Sequence, residues 1–223
     1  MGSLNINGLL SHIDHLRIFM NNQPFDILAI NETKLNSIVT DEQIRLTGYN
    51  VIRNDRDEFG GGVCIFVRSS INYKIIKDFA DENLELIALE IKKPNSRPFL
   101  VATWYRPPKS PVCIFDSFEQ FIQKIDKTYE DIYILGDMNC DFMRDPSESH
   151  TKCLIDVLDI YQFSQTITKP TRVTKTSKTL IDLFITNNTK SVSQSGVYPL
   201  SISDHYLING VRKIGIPRKQ PRF

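Results

Sequence analysis

Short runs of four to eight residues rich in apolar and β-branched side chains recur along the chain and constrain its fold more than any other feature. Runs of this length, bounded by turn-forming residues, are typical of β-strands. They occupy residues 25–30, 49–53, 62–67, 72–76, 84–91, 99–105, 132–135, 180–186 and 205–211. Apolar residues spaced three and four apart predict helices over residues 9–22, 115–129 and 152–161. Strands interrupted by few helices predict an α/β fold, in which two mainly antiparallel sheets pack face to face with helices outside.

Neither a repeat, a linker nor a change in composition divides the 223-residue chain. We therefore expect one domain over residues 1–211, followed by a basic tail over residues 212–223. The longest apolar runs have six or seven residues, whereas a membrane-spanning helix needs about 20. No membrane segment is expected, and the beginning of the chain lacks the features of a secretory signal. The sequence thus predicts an intracellular protein.

Charge is distributed unevenly, although the formal net charge is only +1. Residues 169–178 carry four basic side chains and no acid, and residues 212–223 carry five basic side chains and no acid. Acids concentrate between residues 116 and 159. This distribution suits a phosphate-binding rim around an acidic metal site. Ordinary solvated surface charge explains it equally well.

Side chains with acceptor oxygens repeatedly follow the predicted strands. They are Asn5, Asn7, Glu32, Tyr105, Asp137, Asn139 and the Ser-Asp-His of residues 203–205. Strand ends deliver side chains to a shared rim, so we expect these residues to lie together. Asp182 differs, because it stands among apolar residues where a carboxylate is costly to bury without a partner. A hydrogen bond from His205 would provide that partner, fix the tautomer of the ring and favour its protonated form.

Carboxylate and amide oxygens without nearby thiols suit a hard cation such as Mg²⁺, for which Glu32 is the first ligand candidate. Asp137 and Asn139 alternate along a segment expected to be extended, so both side chains would face an attacking water and a phosphoryl oxygen. Ordinary explanations stay open, since Asp-x-Asn after a strand is common in turns, Glu32 can cap a loop and Tyr105 can pack at a corner. His12 and His15 fit an exposed helix face better than a metal site.

Taken in order, these segments resemble the motifs of the endonuclease/exonuclease/phosphatase superfamily. Within it they resemble the apurinic-like endonuclease domain of non-LTR, LINE-type retrotransposons. The segments that resemble family motifs are residues 4–9, 30–33, 60–63, 105–108, 136–139, 179–182 and 203–205. The resemblance covers nearly the whole chain. Because few residues precede Asn5, the first strand is expected to be shorter than is usual in the family.

The resemblance implies a four-layered α/β/β/α sandwich that hydrolyses a phosphodiester with an activated water and one divalent ion, Mg²⁺ or alternatively Mn²⁺. It assigns the metal to Glu32 and Asn5, with Asp204 assisting. It assigns the water to Asp137, the scissile phosphate to Asn139 and Tyr105, and the developing charge to His205, which Asp182 would orient. The remaining substrate contacts that it implies are Asn7, Thr174 and Arg106.

These roles imply a DNA endonuclease that nicks one strand of double-stranded DNA and leaves a 3′-hydroxyl, as in target-primed retrotransposition. A monomer acting in the nucleus is expected. Two other interpretations stay open: a catalytically silent DNA-binding module, and a superfamily phosphatase acting on small phosphorylated substrates. The intact polar set argues against the first, and the basic loops favour DNA over the second. Loops around Ser177 and over residues 192–199 are expected to enter the DNA grooves.

Overall fold

The computed structural model describes residues 1–78, 81–94, 96–144 and 149–213. The helices are α1 (Leu9–Asn22), α2 (Ile114–Asp126) and α3 (Ser149–Ile160). The strands are β1 (Gly2–Asn5), β2 (Ile27–Asn31), β3 (Tyr49–Asn54), β4 (Val63–Arg68), β5 (Asn72–Ile75), β6 (Glu85–Lys92), β7 (Phe99–Tyr105), β8 (Ile132–Asp137), β9 (Ser164–Gln165), β10 (Arg172–Val173), β11 (Lys178–Thr179), β12 (Asp182–Thr186), β13 (Val192–Tyr198) and β14 (Leu207–Arg212).

Two six-stranded sheets carry most of these strands. The first sheet has the order β13-β14-β1-β2-β4-β3, and the second has the order β5-β6-β7-β8-β12-β9. Only the β1–β2 and β7–β8 neighbours are parallel among the described strands. The predicted pair of mainly antiparallel sheets is therefore confirmed. Strands β10 and β11 form a separate two-stranded hairpin.

The alternation of side chains along β7 and β2 defines four layers. Thr103 points inward and bonds to Asn31 of the opposite sheet, whereas its neighbour Trp104 points outward and stacks on Phe118 of α2 at 4.0 Å. On β2, Leu28 and Ile30 pack with the apolar stripe of α1, and the alternate residues join the core between the sheets. Helix α1 thus covers one sheet, and α2 with its neighbour α3 covers the other. The four-layered α/β/β/α sandwich is confirmed.

Most predicted elements agree with the structure, but the edge strand β13 was missed. The stretch of residues 192–199, expected as a groove-entering loop, is mostly β13, which pairs along its length with β14. The prediction was wrong because an exposed edge strand needs no apolar face, and Val-Ser-Gln-Ser-Gly carries little apolar alternation. Ser177 does lie in the turn between β10 and β11. Residues 214–223 of the expected basic tail lie outside the described residues.

The first strand is short, as expected, yet it occupies the middle of its sheet. All four residues of β1 pair with β2, and Gly2 and Ser3 also pair with β14. Its pairing on both sides compensates for its length, because each paired neighbour supplies backbone hydrogen bonds and buries side chains. Within the described ranges, no helix combines the length and the apolar character needed to cross a membrane.

The topology brings six strand termini together at one end of the sandwich. The carboxyl ends of the parallel pairs β1–β2 and β7–β8 lie at this end. Strand β12 runs antiparallel to β8, and β14 runs antiparallel to β1, so both of them begin here. Asp182 at the start of β12 is the register partner of Asp137 at the end of β8. We call this region the central-strand end.

Close approach of the two central strands β7 and β8 requires glycine at position 136. Gly136 has φ +149°, and a Cβ built there would lie 2.1 Å from the Trp104 carbonyl oxygen and 3.1 Å from Asn31 Oδ1. Neither the backbone of β7 nor the buried Asn31 side chain is free to move away. The glycine before Asp137 is thus a steric requirement of the site.

We expect Gly136→Ala to lower the free energy of unfolding by roughly 3 kcal/mol, because it adds overpacking to an unfavourable φ. The matched control is Gly48→Ala, since Gly48 has φ +83° but meets no atom within 4 Å of an added Cβ. This control should lose only about 1 kcal/mol. Urea unfolding of the two variants measures the difference. Equal losses would show that φ alone, and not the contact with Trp104, constrains position 136.

Candidate active site

A buried asparagine joins the two sheets beneath the central-strand end. Asn31 is fully buried at the end of β2. Its Nδ2 donates to Thr103 Oγ1 at 3.0 Å, and its Oδ1 accepts from the backbone N–H of Asp137 at 2.9 Å. The amide thereby fixes the position of the Asp137 backbone relative to β2 in the opposite sheet. Sequence reasoning missed Asn31, although it directly precedes Glu32 at the end of an apolar run.

Asp137 is a buried carboxylate with a hydrogen bond on each oxygen. Its Oδ2 accepts from Asn5 Nδ2 at 2.8 Å, and its Oδ1 accepts from the backbone N–H of Asn139 at 3.0 Å. Its Oδ2 also lies 4.0 Å from His205 Nε2. Burial, followed by the nearby charge of Asp182, raises the pKa of Asp137 to about 7 against the opposing effects of His205 and Asn5. The site therefore holds a carboxyl group close to a cationic ring.

Asp182 and His205 form the buried pair that the sequence analysis anticipated. Asp182 accepts from His205 Nδ1 at 2.9 Å, so Nδ1 carries a proton and Nε2 is left near Asp137. Burial alone lowers the pKa of His205, but the charge and hydrogen bond of Asp182 outweigh it, and the pKa rises to about 9. The ring is consequently an imidazolium at neutral pH. A fixed tautomer and a positive charge are both consequences of this contact.

Thr171 holds the backbone of Asp182 in place. This buried threonine accepts hydrogen bonds at its Oγ1 from the backbone N–H groups of Ile181, at 3.2 Å, and Asp182, at 3.0 Å. Thr174, the threonine selected from the sequence, instead accepts from backbone N–H groups in the turn of the β10–β11 hairpin. The two threonines stand three residues apart in one polar segment, and only the tertiary structure distinguishes them.

Glu32 directly follows Asn31, which is the register partner of Asn5 in the parallel pair β1–β2. Its Oε1 accepts from the Tyr105 hydroxyl at 2.7 Å, while its other oxygen accepts no hydrogen bond from a described residue. Burial and the bond to Glu32 raise the pKa of Tyr105, so its hydroxyl stays protonated and donates. Asn5 Oδ1 accepts one bond, from the backbone N–H of Asn7 at 3.1 Å. A carboxylate oxygen without a partner next to an amide oxygen is a donor set that suits a hard divalent cation.

A second group of possible metal ligands lies deeper. Asp137, Asp182 and His205 offer ligand atoms that all lie within 4.8 Å of one another. However, both Asp182 oxygens face His205 Nδ1, at 3.1 and 2.9 Å, and His205 could bind an ion through Nε2 only after the ring had lost its second proton. Glu32 and Asn5 are therefore the better fit for an ion, with Asp137 close by through its bond to Asn5.

Two other candidates occupy positions that differ from the expectation. Asn139 has φ +47°, so the segment after β8 is a tight turn and not an extended one, and its Nδ2 donates to the Arg106 carbonyl at 2.9 Å. Arg106 is buried, and its guanidinium donates to the carbonyls of Met138, at 2.6 Å, and Asn139, at 2.7 Å. The expectation that Arg106 contacts substrate was wrong, because these bonds commit the guanidinium to holding the turn in place.

The outer part of the central-strand end is more exposed. Asn7 is exposed, and its Oδ1 accepts from Lys34 Nζ. Asp204 is about one-third exposed and accepts from Arg172 Nε at 2.7 Å. The Ser203 hydroxyl, which the sequence analysis gave no separate role, donates to the Asn5 carbonyl at 2.6 Å and joins the loop before β14 to β1. The buried ionic pair is thus surrounded by polar groups that solvent reaches.

The chain matches the model of the endonuclease/exonuclease/phosphatase family over residues 2–205. No curated protein sequence matches it significantly. Solved structures with the same fold include the endonuclease domain of TRAS1, a telomere-specific non-LTR retrotransposon. That match has 12% identity and a TM-score of 0.75, and covers 96% of this chain and 97% of the other.

Two further structures are similar at the same level. The AP endonuclease LMAP from Leishmania major has 14% identity and a TM-score of 0.78, with 96% of this chain and 87% of that chain covered. The 3′ phosphatase NExo from Neisseria, solved with a product DNA hairpin, has 14% identity and a TM-score of 0.74, with 96% and 98% covered. At these identities the matches establish the shared fold.

We expect Thr171→Val to cost about 2 kcal/mol of unfolding free energy, because the backbone N–H groups of Ile181 and Asp182 lose their acceptor in a buried place. Thr171→Ser keeps the hydroxyl and is the matched control, with a much smaller expected loss. Denaturant unfolding followed by circular dichroism compares the two variants. A valine variant as stable as the serine variant would remove Thr171 from the account of how Asp182 is held.

Proposed function

This chain belongs to the endonuclease/exonuclease/phosphatase family, whose members are phosphodiesterases and nucleases, and we propose that it is a metal-dependent DNA endonuclease. It nicks one strand of double-stranded DNA and leaves a 3′-hydroxyl. The observation that carries the proposal is the buried Asp182–His205 pair. Nε2 of His205 lies 4.0 Å from Asp137, which accepts a hydrogen bond from Asn5, and the partly exposed Glu32 belongs to the same end of the sandwich. A cationic donor next to a carboxylate base and a cation-binding oxygen set suits phosphodiester hydrolysis.

Glu32 and Asn5 hold the divalent ion in this proposal, with Asp204 assisting through the oxygen that Arg172 does not occupy. Mg²⁺ is the expected ion and Mn²⁺ the alternative, since the ligands are all oxygens. When bound, such an ion draws charge from a phosphoryl oxygen and so favours attack on phosphorus. Before substrate binds, the Tyr105 hydroxyl keeps the Glu32 carboxylate in one orientation.

In the proposed reaction a water attacks phosphorus as the bond from phosphorus to the 3′ oxygen breaks. Asp137 receives a proton of that water, and the departing 3′ oxygen takes a proton from solvent. The hydrogen bonds from Asn5 and Asn139 leave its carboxylate no freedom to turn away. His205 donates from Nε2 to a phosphoryl oxygen, where negative charge grows in the transition state. Asp182 stabilises the imidazolium and keeps Nδ1 engaged, so the donor does not rotate out of position.

Asn139 and Tyr105 complete the proposed contacts to the scissile phosphate, and Asn7 lies at the outer edge. Asn139 Nδ2 now donates to the Arg106 carbonyl, and the Tyr105 hydroxyl donates to Glu32. Asn139 Nδ2 has a second N–H with which to donate to the phosphate, whereas the Tyr105 hydroxyl would exchange Glu32 for a phosphate oxygen when substrate binds. We further propose that the enzyme works as a monomer on nuclear DNA.

We predict that His205→Ala reduces the nicking rate by at least about a hundredfold, because it removes the donor to the phosphoryl oxygen. Conversion of supercoiled plasmid to open circles in Mg²⁺ measures the rate. His15→Ala, which removes an exposed histidine on α1, is the control and should nick like the unaltered protein. Full activity of His205→Ala in a clean preparation would contradict the assignment. Release of inorganic phosphate from small substrates without plasmid nicking would instead favour a phosphatase.

Removal of the metal with EDTA should abolish nicking, and Mg²⁺ should restore it. Glu32→Gln should raise the Mg²⁺ concentration for half-maximal nicking by about tenfold or more, because a neutral amide replaces the main anionic ligand. The matched control is Glu119→Gln on α2, where the carboxylate accepts a hydrogen bond from Tyr161 and from no other residue that the structure describes. An unchanged Mg²⁺ requirement in Glu32→Gln would show that the ion binds elsewhere.

A further inference from the structure

The base of the β10–β11 hairpin is joined directly to the segment that carries His205. Arg172 and His205 form an isolated antiparallel bridge. The backbone N–H of Val173 donates to the Asp204 carbonyl at 3.1 Å, and that of Tyr206 donates to the Thr171 carbonyl at 2.6 Å. The residue opposite His205 across this bridge is therefore an arginine whose backbone is held on both sides.

The Arg172 side chain is only partly used within the protein. Its Nε donates to Asp204 Oδ2 at 2.7 Å, while neither Nη nitrogen donates to any residue in the described part of the chain. The side chain is 44% exposed. An arginine anchored through Nε keeps its two outer nitrogens as a planar pair of donors, which matches the spacing of two phosphate oxygens.

Arg172 stands among several carboxylates, whose negative charge opposes the approach of an anionic substrate. Asp137, Asp182 and Asp204 lie close to His205, and the negative charge of Glu32 also acts on Arg172. Before a divalent ion binds, this cluster of carboxylates would repel a DNA strand if Arg172 were absent, since the single charge of His205 offsets only one of them. The ion pair with Asp204 places the compensating guanidinium at the exposed edge of the cluster, where a strand would enter.

We infer that Arg172 binds a backbone phosphate of the cleaved DNA strand through its two free Nη groups, while Asp204 anchors its Nε. This inference rests on the proposed function, because it takes DNA to be the substrate. Asp204 is then a positioning residue for Arg172 in addition to any contact that it makes near the metal. The competing explanation is an ion pair that only fastens the hairpin to the loop before β14.

The salt dependence of DNA binding distinguishes the two explanations. A fluorescein-labelled duplex is titrated in EDTA at several salt concentrations, so that no cleavage occurs and the readout is independent of the metal. We expect Arg172→Ala to weaken binding about tenfold and to lower the slope of log K against log salt by about one, the value for one lost phosphate contact. Arg172→Lys should keep the slope but bind more weakly than the unaltered protein, since lysine lacks the planar pair of donors.

Two further variants serve as controls. Arg45→Ala removes an exposed arginine that is paired with Glu42, far in sequence from the site, and should leave the slope unchanged. Asp204→Asn keeps the guanidinium and should also keep the slope. Should Arg172→Ala fail to unfold cooperatively, the neutral and longer Arg172→Gln replaces it in the same titration.

An unchanged slope in a folded Arg172→Ala or Arg172→Gln variant would overturn the inference. If Asp204→Asn lowered the slope of log K against log salt as much as Arg172→Ala does, the inference would also be overturned. The loss would then come from breaking the ion pair and not from removing the guanidinium. If the unaltered protein nicks plasmid while these variants keep its slope, only the inference about Arg172 fails. If the unaltered protein neither binds duplex DNA nor nicks plasmid, the proposed function fails with it.

Discussion

Two hydrogen bonds from the Asn31 side chain to the opposite sheet fix the geometry on which the candidate site depends. One amide group reaches from β2 across the interior to Thr103 of β7 and to the backbone of Asp137 at the end of β8. A buried amide left without these partners would cost about 1–3 kcal/mol, so the two sheets are held at a defined offset at this point. Gly136 allows the approach, because any Cβ there would collide with the Trp104 carbonyl oxygen.

Around this fixed point the protein buries two carboxylates, which is unfavourable unless their charge is compensated. Asp182 is compensated by the His205 ring and held by Thr171, and Asp137 is compensated by Asn5 and the turn at Asn139. The result is a rigid arrangement in which a cationic donor and a carboxylate lie 4.0 Å apart. Arginines complete it in two different ways: a buried one holds the turn after β8, and an exposed one keeps two nitrogens free.

Periodicity was sufficient to predict α1 and most of the buried strands, since they carry apolar faces that burial requires. The buried strand β1 was expected only from the family resemblance. Strand β13 escaped because edge pairing needs only backbone groups. For the site, an acid among apolar residues predicted a partner for Asp182, and the partner is His205. Arg106 and Thr171 show the limit. Whether an arginine faces solvent or bonds to backbone carbonyls, and which of two threonines supports an acid, depends on contacts between segments distant in the chain.

The chemistry of the nick tests the central claim most directly. Plasmid nicked by the purified protein in Mg²⁺ is incubated with DNA ligase, which seals only a nick that has a 3′-hydroxyl next to a 5′-phosphate. Hydrolysis in which the site activates a water on the phosphorus and releases the 3′ oxygen predicts that ligase returns the open circles to the closed form. Nicks that ligase cannot seal, or that need removal of a 3′-phosphate first, would contradict the proposed reaction.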